Sequence, residues 1–117
     1  MDEIDKLEDF FKKFCDVKRI ESITGNPLLE VVCKMGKVSY IRVANEGLTS
    51  KIAIEGYVNG KYKYESIKLN RPITVSIEER KHVDVVPLHG IIEPFFDDLK
   101  FTVRKLWGGG IQLEFIE

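Results

Sequence analysis

Residues 51–68, KIAIEGYVNGKYKYESIK, largely alternate apolar and polar side chains on both sides of Asn59-Gly60. Alternation with a period of two places one set of side chains on each face of a β-strand. Asn-Gly between two such runs is the strongest short-range signal of a β-hairpin, because both residues tolerate a positive φ angle. This stretch therefore predicts two antiparallel strands joined by a tight turn, and it decides the fold class.

Similar runs follow one another along the chain after Gly25-Asn26-Pro27. They are separated by Gly, Asn, Pro and charged residues, which are typical of turns. The glycine triplet 108–110 lacks the Lys-Ser/Thr ending and the following helix of a phosphate-binding loop, so we interpret it as a turn that requires positive φ. The predicted strands are 28–35, 38–44, 51–58, 61–69, 73–77, 82–86, 99–107 and 111–116.

Residues 2–16 are predicted to form one amphipathic helix with Asp2 as its N-cap. Its apolar residues recur at steps of three and four: Ile4, Leu7, Phe10, Phe11 and Phe14. We therefore expect a mainly β (α+β) fold in a single domain, residues 1–117, that is antiparallel from 28 to 116. A two-layer β-sandwich and a curled sheet or open barrel of about eight strands both satisfy the pattern, since strand order is not written in it.

Burial suggests a register for two hairpins. A three-residue turn formed by the glycine triplet would place Trp107 opposite Ile111. A three-residue loop at the Asn-Gly hairpin would place Ile54 opposite Tyr64, whereas a two-residue loop would place it opposite Glu65. We favour the longer loop because it collects apolar residues on one face.

The composition is that of one globular domain. The chain has 117 residues, 44% hydrophobic and 32% charged, with a formal net charge of −1. It contains no apolar run of the about 20 residues that a membrane helix needs, and its acidic start differs from the basic start of a signal peptide. We therefore expect a soluble cytoplasmic protein without a membrane partner. Many Lys, Glu, Ile and Val and a single Gln also resemble hyperthermophile proteins.

The two cysteines, Cys15 and Cys33, match neither a C-x-x-C motif nor a zinc pattern. One continues the apolar face of the helix and the other lies inside an apolar run. We interpret both as buried thiols, with a disulfide as the alternative, since disulfides are rare in the cytosol.

A metal site is the strongest hypothesis for catalysis. His82 and Asp84 would share one face of a strand, and His89 or Asp97 could complete a three-ligand set. A polar strand face followed by an acidic surface loop explains the same residues. Because ligand sets this sparse arise by chance, we favour a protein that is not an enzyme, and we expect no cofactor.

A basic segment suggests nucleic acid as an alternative partner. Residues 17–70 contain nine basic and five acidic residues. Lysines could contact phosphates while tyrosines stack on bases. The tyrosines and the two flanking lysines would nevertheless occupy opposite faces, unless the strand lies at an edge or is strongly twisted; the simpler interpretation turns the tyrosines inward. The candidate residues are Lys61, Tyr62, Lys63, Tyr64 and Lys68.

The favoured function is a small interaction or assembly module that self-associates or binds a protein partner. The proline-bounded stretch containing Ile91, Ile92, Phe95 and Phe96 would supply the interface. The final run 111–116 would add an unprotected strand if it lies at a sheet edge.

Overall fold

Ten strands and one helix make up the described part of the protein. The computed structural model describes residues 2–77, 83–85, 91–94 and 98–116; for residues 77, 83–85 and 91–94 it describes the backbone alone. The predicted mainly β fold with one N-terminal helix is confirmed. The elements are α1 (Glu3–Lys12), β1 (Asp16–Glu21), β2 (Pro27–Cys33), β3 (Val38–Glu46), β4 (Thr49–Val58), β5 (Lys61–Leu69), β6 (Ile73–Ile77), β7 (Val83–Val85), β8 (Ile91–Pro94), β9 (Leu99–Lys105) and β10 (Ile111–Ile116).

The strands form two sheets that share one core. Sheet 1 has the order β1-β2-β9-β10-β6, and sheet 2 has the order β5-β4-β3-β8-β7, with β3, β4 and β5 as its long strands. Neither sheet closes into a barrel within the described residues, because each has two edge strands. Side chains from the inner faces of both sheets pack into a single apolar cluster.

One strand pair departs from the antiparallel prediction. β6 and β10 are parallel, with Ile73 opposite Ile111. Parallel neighbours need a crossover, and here the chain leaves sheet 1 after β6, forms β7 and β8 in sheet 2, and returns as β9. β10 consequently lies between β9 and β6 and not at a sheet edge, so the condition under which residues 111–116 would form an unprotected strand is not met.

Two strands were missed by the sequence pattern. The helix stops at Lys12 instead of residue 16, and the chain turns directly into β1. β1 is an edge strand in which only Val17 and Ile20 are even half-buried, so it lacks a clear apolar alternation. The proline-bounded stretch, for which no strand was predicted, contains β8, whose backbone pairs with both β3 and β7.

Helix α1 covers the gap between the two sheets on one side. It contacts β1, β2 and β9 of sheet 1 and the edge strand β5 of sheet 2. Its apolar stripe is buried as predicted, and the Phe11 ring packs edge-on against Phe101 with 5.2 Å between ring centroids. At ten residues, this one helix of the described chain is too short to span a bilayer.

Cys15 and Cys33 form a disulfide, so the interpretation as buried thiols is wrong. The cause is the missed strand. Asp16 lies opposite Val32 in the β1–β2 hairpin, which brings the preceding and following cysteines together with their Cα atoms 4.5 Å apart. The bond ties the turn that follows α1 to the last residue of β2, the second strand of sheet 1.

The predicted register of the Asn-Gly hairpin is also wrong. Asn59 and Gly60 have φ angles of 53° and 76° and form a two-residue turn, so Ile54 lies opposite Glu65. Positive φ at both positions is what a type I′ turn requires, and this turn matches the strand twist. Local turn chemistry therefore prevailed over the assumption that the tyrosines of β5 point inward.

The last hairpin has a longer loop than predicted. Ile111 lies opposite Lys105, so residues 106–110 form a five-residue loop. All three glycines of the triplet have positive φ, as expected for a turn. Gly110 can close the loop because its carbonyl accepts a hydrogen bond from the Leu106 amide at 3.0 Å.

Candidate functional site

All four tyrosines of the protein lie on the outer surface of sheet 2. On β4 and β5, Tyr57 is directly opposite Tyr62, and Glu55 is opposite Tyr64. On the other side of β4, Glu55 is opposite Tyr40 of β3. We call the surface formed by these four tyrosines around Glu55 the tyrosine face.

The tyrosine rings are available to solvent. Tyr57, Tyr62 and Tyr64 are 52%, 54% and 51% exposed, whereas Tyr40 is half-buried. The inward-facing interpretation of the β5 tyrosines is therefore wrong; the core side of that strand is supplied by Ile67 and Leu69. Tyr57 and Tyr62 meet edge-to-face with 5.9 Å between ring centroids, which restrains both rings.

Glu55 lies at the centre of this face and is half-buried. Hydrogen bonding to its carboxylate, and secondly burial, raise the pKa of Tyr40 to about 12. Partial burial, followed by hydrogen bonding to Glu55, raises the pKa of Tyr62 as well. Both hydroxyls stay protonated at neutral pH, so each can act as a hydrogen-bond donor beside the carboxylate.

Three cations share the outer surface of sheet 2 with the tyrosines. The guanidinium of Arg42 lies over the Tyr40 ring, 5.7 Å from its centroid. Lys51 is directly opposite Lys68 on the same outer surface. Two like charges directly opposite each other destabilise a strand pair, so this arrangement does not contribute to folding stability.

Lys61 and Lys63 occupy the face of β5 opposite to that of its tyrosines, as the alternation predicts. Lys61 and Lys63 are nevertheless both exposed, and β5 is an edge strand of sheet 2. An edge strand presents both of its faces to an approaching chain. The alternation requires an edge position for the tyrosines and the lysines of this strand to face one ligand, and β5 has that position.

Among the described residues, the cations of β3, β4 and β5 differ from those of α1 and sheet 1 in whether they form ion pairs with carboxylates. No described carboxylate forms an ion pair with Arg42, Lys51, Lys61, Lys63 or Lys68. By contrast, most basic residues of α1 and sheet 1 do have one, for example Arg104 with Glu114. The other ion-paired residues of these elements are Lys12, Arg19 and Lys105, and Lys13 and Lys34 are ion-paired in the turns that follow α1 and β2.

The outer face of sheet 1 provides a comparison. Its polar side chains satisfy one another: Arg104 donates to Gln112 at 2.9 Å, and Gln112 reaches Ser76 at 3.4 Å. That surface has the character of an ordinary solvated sheet. The tyrosine face, with its rings exposed and its cations without described partners, is the better candidate for binding.

Most of the predicted metal ligands lie outside the part of the chain that the structure describes. His82, His89 and Asp97 lie outside the described residues, and Asp84 lies in β7, where the backbone alone is described. Among the residues that are described, no three His, Cys, Asp or Glu side chains come together in a way that could hold a metal ion. The metal hypothesis stays a prediction.

The predicted interface residues are divided in the same way. Ile91 and Ile92 belong to β8, where their backbones lie opposite Arg42 and Ile41 of β3. Phe95 and Phe96 lie outside the described residues.

A second surface was missed by the sequence analysis. Three large apolar side chains at turns are almost fully exposed: Ile23 at 107%, Leu48 at 81% and Trp107 at 100%. Each belongs to a turn that also contains glycine, and a large apolar residue within such a turn was the available signal. We call these three residues the loop end.

Strand register places the three turns at one end of the molecule. Leu28 lies opposite Arg104, so the β1–β2 and β9–β10 loops are neighbours. The side chain of Asn45 exchanges two hydrogen bonds with the backbone of Ile73, which starts β6 beside the beginning of β10. This contact brings the β3–β4 turn to the same end.

No protein-family model, curated protein or solved structure matches this chain. What the two surfaces bind must therefore be inferred from their own side chains. Function resides in such sites more than in the fold that carries them.

Proposed function

We propose that this protein is a non-catalytic binding domain whose tyrosine face binds single-stranded nucleic acid. The observation that carries the proposal is the combination of three half-exposed tyrosine rings with Arg42, Lys51 and Lys68 on the same outer face of sheet 2. Lys61 and Lys63 add two exposed cations on the other face of the edge strand β5. Bases stack on aromatic rings displayed by β-sheets, while lysine and arginine contact the phosphates. Both halves of this chemistry are available on the same surface.

The distribution of charge supports an anionic ligand. The whole chain has a net charge of −1, yet β3 to β5 contain five basic and three acidic residues, a local charge of +2. One of the three carboxylates, Glu65, already pairs with Lys13 of the helix region. A single strand fits better than a duplex, because stacking on tyrosine requires bases that are not already stacked on each other.

The lysine pair gives a direct test by fluorescence anisotropy with a labelled U7 RNA. Lys51→Gln with Lys68→Gln removes two phosphate contacts, so the slope of log K against log salt should become shallower by about 1.4. Lys6→Gln with Lys100→Gln is the charge-matched control. Both of its lysines are exposed and lie on α1 and sheet 1, so the slope should not change.

The tyrosines test the stacking part of the proposal. Tyr57→Ala and Tyr64→Ala should each weaken binding by about 1–3 kcal/mol, the usual contribution of one base–aromatic stack. Both side chains are half exposed, so the melting temperature should change little. Failure to detect binding at 20 mM salt, or equal affinity for duplex and single strand, would contradict the proposal.

Self-association or binding of a protein partner is the second candidate function. The specific observation that favours it is the loop end, where three large apolar side chains are exposed together. Exposed apolar surface of this kind marks interaction sites in soluble proteins. This candidate uses a different part of the molecule, so the two functions are compatible.

A further inference from the structure

We infer that Glu55 makes the tyrosine face selective for guanine, an inference that rests on the proposed binding of single-stranded nucleic acid. The carboxylate lies directly opposite Tyr40 on one side and Tyr64 on the other, with Tyr57 two residues along the same strand. Opposite residues on one face of an antiparallel pair have their Cβ atoms about 5 Å apart. A base stacked on Tyr57 or Tyr64 would therefore have its edge beside Glu55.

The chemistry of the carboxylate selects among the four bases. An ionised glutamate is an acceptor only, with two oxygens side by side. Guanine presents two adjacent donors on its Watson–Crick edge, N1–H and the exocyclic amino group, and both can donate to one carboxylate. Adenine and cytosine offer an amino donor next to a ring nitrogen acceptor, and uracil offers one donor between two carbonyl oxygens. Each of these would bring an acceptor against the negative charge.

The surroundings of Glu55 leave its charge available for this contact. No described cation forms an ion pair with it. Tyr40 lies directly opposite Glu55 on β3, and interaction with the carboxylate raises the pKa of its hydroxyl. Arg42, which lies over the Tyr40 ring, is placed to contact a phosphate of the same nucleotide.

The experiment measures the affinity of the full chain for three RNA heptamers: U7, U3GU3 and U3IU3, where inosine lacks the exocyclic amino group. U3GU3 should bind roughly 5- to 150-fold more tightly than U7, the discrimination that one bidentate contact provides. The inosine strand should fall between them, because it keeps one of the two donors.

Two glutamate variants locate the effect. In Glu55→Gln the carboxylate becomes an amide with one acceptor and one donor group, so the ratio of U3GU3 to U7 affinity should fall to about one while U7 binding is retained. Glu65→Gln is the control. It changes a half-buried carboxylate on the other face of neighbouring β5 that pairs with Lys13, and the guanine preference should persist.

The outcomes separate this inference from the proposed function. Binding of all three heptamers with equal affinity would overturn the guanine inference and leave the nucleic-acid proposal standing. A guanine preference that survives in Glu55→Gln would also overturn it. Absence of binding to every heptamer at low salt would remove both.

Discussion

Gly56 has a direct part in assembling the tyrosine face. A β-carbon at this position would lie 1.9 Å from the carbonyl oxygen of Lys37, which accepts a hydrogen bond from the Tyr57 amide at 2.7 Å. This close approach accompanies a β-bulge in β3, where Val38 pairs with Gly56 but the next pair joins Tyr40 to Glu55. The bulge thus places a tyrosine where regular pairing would place Ser39.

Replacing Gly56 with Ala should lower the free energy of unfolding by about 3 kcal/mol, the upper part of the range for forcing an extra methyl group into a packed site. The neighbour that must move is backbone, which yields less easily than a side chain. Urea denaturation measures the change. Gly47→Ala is the control: its φ is +61°, but nothing lies within 4 Å of the added carbon, so strain alone should cost about 1 kcal/mol.

An effect of Gly56→Ala no larger than that of Gly47→Ala would contradict the close backbone approach. It would also remove the reason for the bulge that brings Tyr40 to Glu55.

Alternation along the chain correctly predicted which side chains share a face, but not which face is buried. Tyr62 and Tyr64 were expected to share a face, and they do. Whether that face is inside depends on where the second sheet packs, which no local pattern records. The two-residue Asn-Gly turn alone would have placed Tyr57 opposite Tyr62 and Lys51 opposite Lys68. The pairing of these four residues of the candidate site could therefore have been predicted from the type of turn.

At the level of elements, the disulfide joins the turn that follows α1 to the end of β2 across the β1–β2 hairpin. It closes a segment with a sequence separation of 18. Replacing both cysteines with Ala should lower the free energy of unfolding by about 3 kcal/mol, the chain-entropy value for a loop of this length. Urea denaturation with and without dithiothreitol gives the measurement.

The reductant provides the control for this prediction. It should destabilise the natural chain by a similar amount and leave the variant lacking both cysteines unchanged. If reduction does not alter the natural chain, the two cysteines are not bonded in solution.

Elements with a clear apolar pattern between turn residues were predicted well, and elements that lack such a pattern were missed. β5, β6 and β10 have the expected bounds, because each shows apolar residues at alternate positions between clear turns. The helix ended four residues early and β1 was missed, since Phe14 and Cys15 continue the apolar stripe of the helix beyond its last turn. Burial of these residues against the sheets, and not helical structure, satisfies the pattern.

Strand order across the whole molecule could not be predicted, and the candidate site depends on it. The tyrosine face takes its side chains from β3, β4 and β5, and only the residues of β5 were candidates in the sequence. The parallel pairing of β6 with β10 likewise follows from a crossover through the other sheet. Contacts between distant segments are set by how the layers pack, which sequence periodicity does not specify.

The loop end gives a prediction about the assembly of the whole molecule. Its three apolar side chains would bury roughly 450 Å² per copy in a symmetric end-to-end dimer, taking about 250 Å² for tryptophan and about 100 Å² for each aliphatic residue. A stable interface needs about 800 Å² per partner. We therefore expect weak association, seen as a molar mass that rises with concentration in light scattering coupled to size-exclusion chromatography over a hundredfold range.

Trp107→Ser with Leu48→Ser should keep the protein monomeric throughout that range, because it removes most of the apolar area that a second copy would cover. Met35→Ser is the matched control. It removes an apolar side chain that is 52% exposed in the turn after β2, at the other end of that strand from the β1–β2 loop, and should leave the association unchanged. A natural chain that is strictly monomeric at every concentration would refute self-association through the loop end.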